Sequence, residues 1–246
     1  MKAMVLAAGL GTRLKPLTDT RPKALVELNG RTLLDITLTR LRSFGIKDVI
    51  VNVHHFADMM VDYLRTHANF GMNVQISRED ILLDTGGGLK KAAWFFLEGR
   101  DNAEPFLLHN VDVISDIDLK QMLDAHSRSG ALATLAVQNR ETSRYLLFDE
   151  QLQLCGRRSS KGDEIARQAS PLQTLAFAGI HVISPQLLTE MHEDGAFSII
   201  DIYLRLAKER ERISGFPADQ YYWRDLGKHK DLEQAERELR GDCAQP

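Results

Sequence analysis

Short apolar runs alternate with helix-patterned stretches along the first half of this chain, and no other feature restricts its possible folds as tightly. Met4-Val5-Leu6 reads as a buried strand, and Leu34, Leu38 and Leu41 follow at helical spacing, with Gly45 placed to end that helix. DVIVNV, residues 48–53, is the next expected strand. Residues 56–68 put Phe56, Met60, Tyr63 and Leu64 on one helical face, and MNVQIS at 72–77 is strand-like again. A further helix is expected from Gly86–Gly88 to Leu97, burying Leu89, Ala93, Phe96 and Leu97, and PFLLHN at 105–110 is an apolar strand that ends in polar residues. Strands written as continuous apolar runs are covered on both faces, which is the condition of a doubly wound α/β sheet.

Past Asp112 the rhythm changes. A helix fits residues 119–127, ALATLAVQ at 131–138 is a strand, and RYLLF and LQLCG around Asp149-Glu150 read as a β-hairpin. Residues 156–170 are polar and are expected to form a mobile loop. TLAFAGIHVI at 174–183 returns as a strand, Ser184-Pro185 opens a helix, and further helices fit 199–210 and 229–240. With no repeat and no composition break, residues 1–246 are expected to form one domain with a β-rich second half.

Composition narrows the class of partner. Residues are 43% hydrophobic and 26% charged, and the net charge is -3 with pI near 6.2, which offers no basic surface for nucleic acid. No run reaches the roughly 18 apolar residues of a membrane span, so the expected partner is a small molecule. Cys155 and Cys243 are two and far apart, which suits a reducing compartment, and Met1 to Met4 runs straight into a strand, so the expected location is cytoplasmic.

Residues 5–25, VLAAGLGTRLKPLTDTRPKAL, depart from ordinary packing. GLGTRL has Leu14 where a dinucleotide fingerprint needs its third glycine, and no GK[ST] follows as a phosphate loop requires. What remains is a strand, then glycines that let backbone approach a ligand, then Arg13, Lys15, Arg21 and Lys23 opposed only by Asp19. In an acidic chain that local excess points to a polyanion such as a nucleoside triphosphate.

The same residues resemble the signature loop of the sugar-nucleotide pyrophosphorylases, the nucleotidyltransferases that join a nucleoside triphosphate to a sugar 1-phosphate. DTGGGLKKA at 84–92, HNVDV at 109–113, FAGIHVISP at 177–185 and WRDLGKHKDLEQA at 223–235 agree in order, so the resemblance spans essentially the whole chain. It implies a Rossmann-like α/β fold with a mixed sheet. Residues 1–112 would form the nucleotide-binding half, 113–228 the half that binds sugar and supplies a second metal ligand, and 229–246 a C-terminal helix and tail. The chain would be monofunctional, a monomer or a homo-oligomer, and would make a cell-wall or polysaccharide precursor.

In such a reaction a phosphate oxygen of the sugar 1-phosphate attacks the α-phosphorus of the triphosphate in line and pyrophosphate leaves. Both reactants are anions, so cations and Mg2+ carry the catalysis and no protein nucleophile is needed. By resemblance, Arg13 contacts the β and γ phosphates and Lys23 bridges the α-phosphate and the attacking phosphate, with Lys15 and Arg21 accessory. Leu6, Ala8, Gly9, Gly11, Thr12, Asn52, Thr85, Gly86 and Gly87 are the implied nucleotide contacts. Asp112 and Asp225 are the implied Mg2+ ligands, whereas Asp116 and Asp118 suit helix capping better. Asn110, Gly179 and Asp201 are implied at the sugar, where the Glu-x-Lys pair of many relatives is missing unless Arg144 or Lys161 replaces it. His54, His55, His109 and His181 read as core or pocket-wall residues.

Two departures bear on substrate. Asp84-Thr85-Gly86 stands where many relatives carry Gly-Thr-Ala and, with Asn52, is similar to the N-acetylmuramate 1-phosphate uridylyltransferases and to some heptose 1-phosphate guanylyltransferases. Val111 stands where Gly often precedes the metal aspartate. The expected product is a UDP-sugar, with a GDP-sugar from mannose or heptose 1-phosphate as the alternative. A non-catalytic sugar-nucleotide sensor of the same fold would be expected to lose Arg13, Lys23 or an aspartate, and an NAD oxidoreductase is disfavoured by Leu14.

Overall fold

In the computed structural model, which describes residues 1–98 and 104–240, the first apolar run becomes β1 (Lys2–Leu6). A long loop leads to the small hairpin of β2 (Glu27–Leu28) and β3 (Arg31–Thr32), then α1 (Leu33–Ser43), β4 (Asp48–Val53), α2 (Ala57–Thr66) and β5 (Asn73–Arg78). Next come α3 (Asp84–Lys91), α4 (Ala93–Leu97), β6 (Phe106–Asn110) and β7 (Val113–Ser115). The second half runs α5 (Leu119–Ser129), β8 (Ala133–Gln138), β9 (Tyr145–Phe148), β10 (Leu154–Ser159), β11 (Gly162–Ile165) and β12 (Gln173–Ile183). It ends with α6 (Gln186–Thr189), α7 (Ile199–Lys208), β13 (Ile213–Pro217), β14 (Trp223–Asp225) and α8 (His229–Arg240).

Local sequence explains the boundaries. Thr32 caps α1 by accepting from the Asp35 N–H at 3.1 Å, and the chain leaves that helix through Gly45 at φ 80°. Asp118 caps α5, accepting from the N–H groups of Lys120 and Gln121, the capping role expected of it.

β1 pairs in parallel with β4 on one side and β6 on the other, and β4 pairs with β5. The order β6-β1-β4-β5 reverses direction beside β1, and such a switch point opens a crevice at the carboxyl ends of the strands. The loops after β1 and β6 both leave from that crevice. β12 then joins β6 antiparallel, β8 and β13 extend the sheet, and β9 to β11 continue it, giving ten strands across both halves. Apolar side chains fill both faces, Val5, Leu38 and Leu107 on one and Met4, Phe96 and Leu108 on the other.

Three expectations are corrected. The helix of 86–97 starts two residues earlier and is two helices divided at Ala92, and Leu97 is 39% exposed because Phe95 and Phe96 take the buried side of the short α4. The 156–170 segment is no loop at its start, since β10 and β11 pair antiparallel. Arg157 opposes Glu164 and Arg158 opposes Asp163, with ion pairs at 2.7 Å each, so cross-strand charges do here what apolar alternation does elsewhere. The two-stranded sheet of β7 and β14 was not foreseen because each strand is only 3 residues long, and β13 was not because its Gly215 and Pro217 read as strand breakers. Cys155 is buried, whereas Cys243 and the end of the expected tail lie outside the described residues. Among the described residues no helix is long and apolar enough to cross a membrane.

Histidines 109, 181 and 126 are buried in this frame. Arg40 donates from Nη1 to His109 Nε2 at 3.4 Å, which leaves the ring proton on Nδ1, donated to the Asn110 carbonyl at 2.8 Å. His181 Nδ1 meets Tyr203 Oη at 2.7 Å, and His126 sits between Thr134 and Ser184 hydroxyls, both at 2.9 Å. Burial pushes His109 and His181 down to about 3 and His126 to about 4. Because the folded values lie below the ordinary one near 6.5, the unfolded chain takes up protons first as pH falls. The urea midpoint is therefore expected to hold above pH 6.5 and to drop steadily between about pH 6.5 and 4. A midpoint that is flat across that interval would contradict the buried neutral assignment.

Candidate active site

The signature loop is held from beneath by buried amides and a carboxylate. The Ala7 N–H donates to Asn52 Oδ1 at 2.7 Å, Asn52 Nδ2 donates to Glu79 Oε1 at 2.7 Å, and the Leu83 N–H donates to Glu79 Oε2 at 3.0 Å. Asn52 is 2% and Glu79 4% exposed, so both lie beneath the loops they join. Asn52, expected as a nucleotide contact, thus occupies a supporting position. Glu79 went unforeseen, since an acid at a strand end carries no signal of burial in sequence.

Gly11 turns the loop at φ 64°, and a Cβ there would sit 2.8 Å from Thr18 and 3.0 Å from Lys23. The Thr18 hydroxyl donates to the Gly11 carbonyl at 2.9 Å and closes the turn. The chain then folds back so that Lys23, largely buried, pairs with Asp112 across 89 residues of sequence. Gly9 is open on all sides, and Thr12 begins a one-turn helix that carries Arg13. Leu6 uses its carbonyl to accept from the Val111 N–H at 3.1 Å, which ties the loop after β6 to the switch point.

Asp225 arrives from the far end of the chain. β14 pairs with β7 so that Asp225 faces Val113, and the Leu226 N–H donates to the Asp112 carbonyl at 2.8 Å. Burial first, then the neighbouring charge of Asp112, pushes the Asp225 carboxyl above the usual range, while the Gly227 N–H, Lys23 and Arg13 draw it down. Gly227 has a steric reason. A Cβ there would lie 2.5 Å from Arg13 Nη2 and 2.8 Å from Asp225 Oδ1. Asp112, Asp225, Lys23 and Arg13 therefore converge at the switch point, two carboxylates against two cations.

Such a pair of hard oxygen donors fits a divalent cation that takes one or two carboxylates and completes its shell with phosphate and water. Among the described residues no group of three or more acidic, His or Cys side chains offers a cage without such a ligand. Lys15 and Arg21 are exposed, Lys15 pairing with Asp19 at 3.2 Å, and His229 of α8 donates to the Lys15 carbonyl at 2.8 Å.

Around Thr85, Gly86 and Gly87, expected as nucleotide contacts, α3 docks on the segment before α7. The Gly86 and Gly87 N–H groups donate to the Phe197 carbonyl at 2.9 and 3.3 Å, and Thr85 Oγ1 accepts from Ile199 N–H at 3.0 Å. A Cβ at Gly86 would lie 2.5 Å from the Phe197 ring, so these glycines serve close packing. Asp84 is exposed at φ 58° and its Oδ1 accepts from the Thr85 N–H at 2.6 Å. Asn110 and Gly179, both expected at the sugar, come together. Gly179 turns at φ 74° in an irregular stretch of β12, and a Cβ would sit 2.9 Å from Asn110 Nδ2. Asp201 is instead in the first turn of α7, paired with Arg157 at 2.6 Å, and Arg144 and Lys161 are exposed.

A family model described as nucleotidyl transferase matches residues 2–241. The chain is 34% identical over 232 residues to an N-acetylmuramate alpha-1-phosphate uridylyltransferase of Caulobacter vibrioides, covering 92% of this chain and 91% of that one. It is 30% identical over 248 residues to a mannose-1-phosphate guanyltransferase of Candida albicans, covering 99% of this chain but only 64% of the relative's length. The solved structure of HddC from Yersinia pseudotuberculosis complexed with GMP-PN superposes with a TM-score of 0.74 at 21% identity, covering 97% of this chain and 99% of that one, a likeness of fold.

The raised Asp225 carboxyl has a thermodynamic consequence. Ionising it costs more in the folded than in the unfolded protein, so its contribution is harmless below about pH 4 and destabilising once pH passes its folded value. In chelator, Asp225→Asn, which keeps an acceptor for the Gly227 N–H, should melt about 2 °C above wild type at pH 8, with the gap closing towards pH 4. A variant that melts lower at pH 8 would remove the like-charge account of this pair.

Proposed function

The chain belongs to the nucleotidyl transferase family, as a sugar 1-phosphate nucleotidyltransferase, and from that premise we propose that it joins UTP to N-acetylmuramate 1-phosphate with Mg2+, releasing pyrophosphate. The convergence of Lys23, Arg13, Asp112 and Asp225 is the observation that supports the chemistry. The uridylyltransferase that the chain matches over nearly its whole length supports the substrates.

Each residue has a task in that reaction. Lys23, already lodged against Asp112, stands where the attacking and the α phosphates meet and lowers the repulsion between them. Arg13, packed against Gly227, faces the β and γ phosphates and offsets charge on departing pyrophosphate. Gly9, Gly11 and Thr12 let backbone lie against phosphate, while Asn52 and Glu79 keep that backbone from shifting. Asp112 and Asp225 are the residues that would hold Mg2+, which when bound draws the phosphates together and neutralises them. Asn110 and Gly179 shape the sugar end. No side chain in this set needs to act as nucleophile.

GTP is the second reading, supported by the exposed carboxylate of Asp84 at the edge of α3, an acceptor suited to guanine N–H groups. Pyrophosphate release should be screened with UTP, GTP, ATP and dTTP against N-acetylmuramate, N-acetylglucosamine, mannose and glucose 1-phosphates. UTP with N-acetylmuramate 1-phosphate should give the highest kcat/KM. A GTP preference would transfer the assignment to the second reading, and silence from every pair would sink both. In the productive pair, Gly227→Ala should lower kcat by about 100-fold, since it displaces Arg13 from its place beside Asp225. Its melting temperature should stay close to wild type, and full activity would separate Arg13 from the chemistry.

A further inference from the structure

Three buried side-chain polar atoms lack a hydrogen-bond partner among the described residues, and one of them, Arg140 Nε, belongs to a cation. Arg140 lies two residues beyond β8, and its guanidinium stacks on Trp223, Cζ being 3.7 Å from the ring centre. Its Nη2 donates to the Phe177 carbonyl at 2.7 Å, and Trp223 Nε1 donates to the neighbouring Ala178 carbonyl at 2.7 Å. Both side chains therefore clasp the stretch of β12 that leads into Gly179. No carboxylate lies within ion-pairing distance of Arg140 among the described residues. Arg140 is half-buried and its Nε is enclosed, so an incoming acceptor would meet the open Nη edge of the guanidinium, and a partly desolvated cation without a carboxylate partner gains when such an acceptor arrives.

Position then selects the ligand. Trp223 and Asp225 are two apart on β14, so their side chains leave the same face about 7 Å from one another. Arg140, stacked on Trp223, therefore stands on the side of Asp225 but one residue pair back from it. That offset is about the width of a pyranose ring, past the 1-phosphate that Lys23 and the aspartates serve. A stacked planar fork suits bidentate binding of a carboxylate. Burial draws the Arg140 guanidinium below its ordinary value, and the charge of Asp225 opposes that.

We infer that Arg140 is a specificity-determining residue that receives the carboxylate of an acidic sugar 1-phosphate. The inference rests on the reading of this site as a sugar 1-phosphate nucleotidyltransferase and names the feature of the sugar that the site selects. A stacked, charged clamp rewards the acid and gains nothing from a neutral sugar, so discrimination comes from the contact made with the carboxylate.

The test compares N-acetylmuramate 1-phosphate with N-acetylglucosamine 1-phosphate, which lacks the acid, in wild type, Arg140→Gln and Arg140→Lys. Arg140→Gln should lower kcat/KM for the acidic sugar by about 10- to 100-fold, mainly through KM, and change it far less for the neutral sugar, so that the ratio of acidic to neutral sugar falls. Arg140→Lys, which keeps charge without the fork, should fall between. Equal losses on both sugars would assign Arg140 to the shared 1-phosphate or to holding Trp223 and would overturn the inference, as would no loss on either. If wild type turns over neither sugar, the proposed substrate fails, and calorimetric binding of N-acetylmuramate 1-phosphate decides Arg140 separately. Weaker binding by the folded Arg140→Gln variant supports the carboxylate contact, and equal or absent binding overturns it.

Discussion

Two carboxylates held side by side, Asp112 and Asp225, are what the rest of this structure is arranged to tolerate. Burial first and the like charge of Asp112 second push the Asp225 carboxyl above the usual range. The fold offsets this with Lys23 lodged against Asp112 and Arg13 beside Gly227. Several long-range constraints near the site serve that meeting. Gly11 and Thr18 fold the loop so that Lys23 reaches Asp112, and the β7–β14 pairing with the Leu226 to Asp112 backbone bond fixes Asp225.

The support extends outward in layers of different chemistry. Under the loop it is polar and buried, with Asn52 and Glu79 linking the ends of β1, β4 and β5 to the turn before α3. Behind Asn110 it is a neutral histidine oriented by Arg40. On the outer side α8 braces β14, for Glu238 accepts from Tyr222 Oη at 2.8 Å and pairs with Arg224. A site of opposed charges has to be rigid before ligand arrives, because a shift of an ångström would exchange compensation for repulsion.

The alternating apolar runs made the parallel half of the sheet readable in sequence, since buried strands and amphipathic helices each leave a periodic trace. DVIVNV at 48–53 matches β4 and the 229–240 helix matches α8 residue for residue. Charged hairpins leave no such trace. β10 and β11 are stabilised by Arg157, Arg158, Asp163 and Glu164, a composition that reads as loop until the strands are seen opposite each other. Arg13, Lys23, Asp112 and Asp225 were named from motifs that resemble a known family, and the structure brings the four together. Glu79, Arg140 and the purpose of Gly227 were not legible, because their roles exist only against residues far away in the chain.

Sequence by itself determined the fold class, the basic glycine loop and the two aspartates, because hydrophobic periodicity and local motif chemistry depend on near neighbours. Tertiary structure alone decided which charges face which. It set Lys23 on Asp112, moved Asn52 beneath the loop and Asp201 out to Arg157, and stacked Arg140 on Trp223. Burial and Coulomb energy depend on distance in space, and a loop that closes over 89 residues fixes distances that no local pattern encodes.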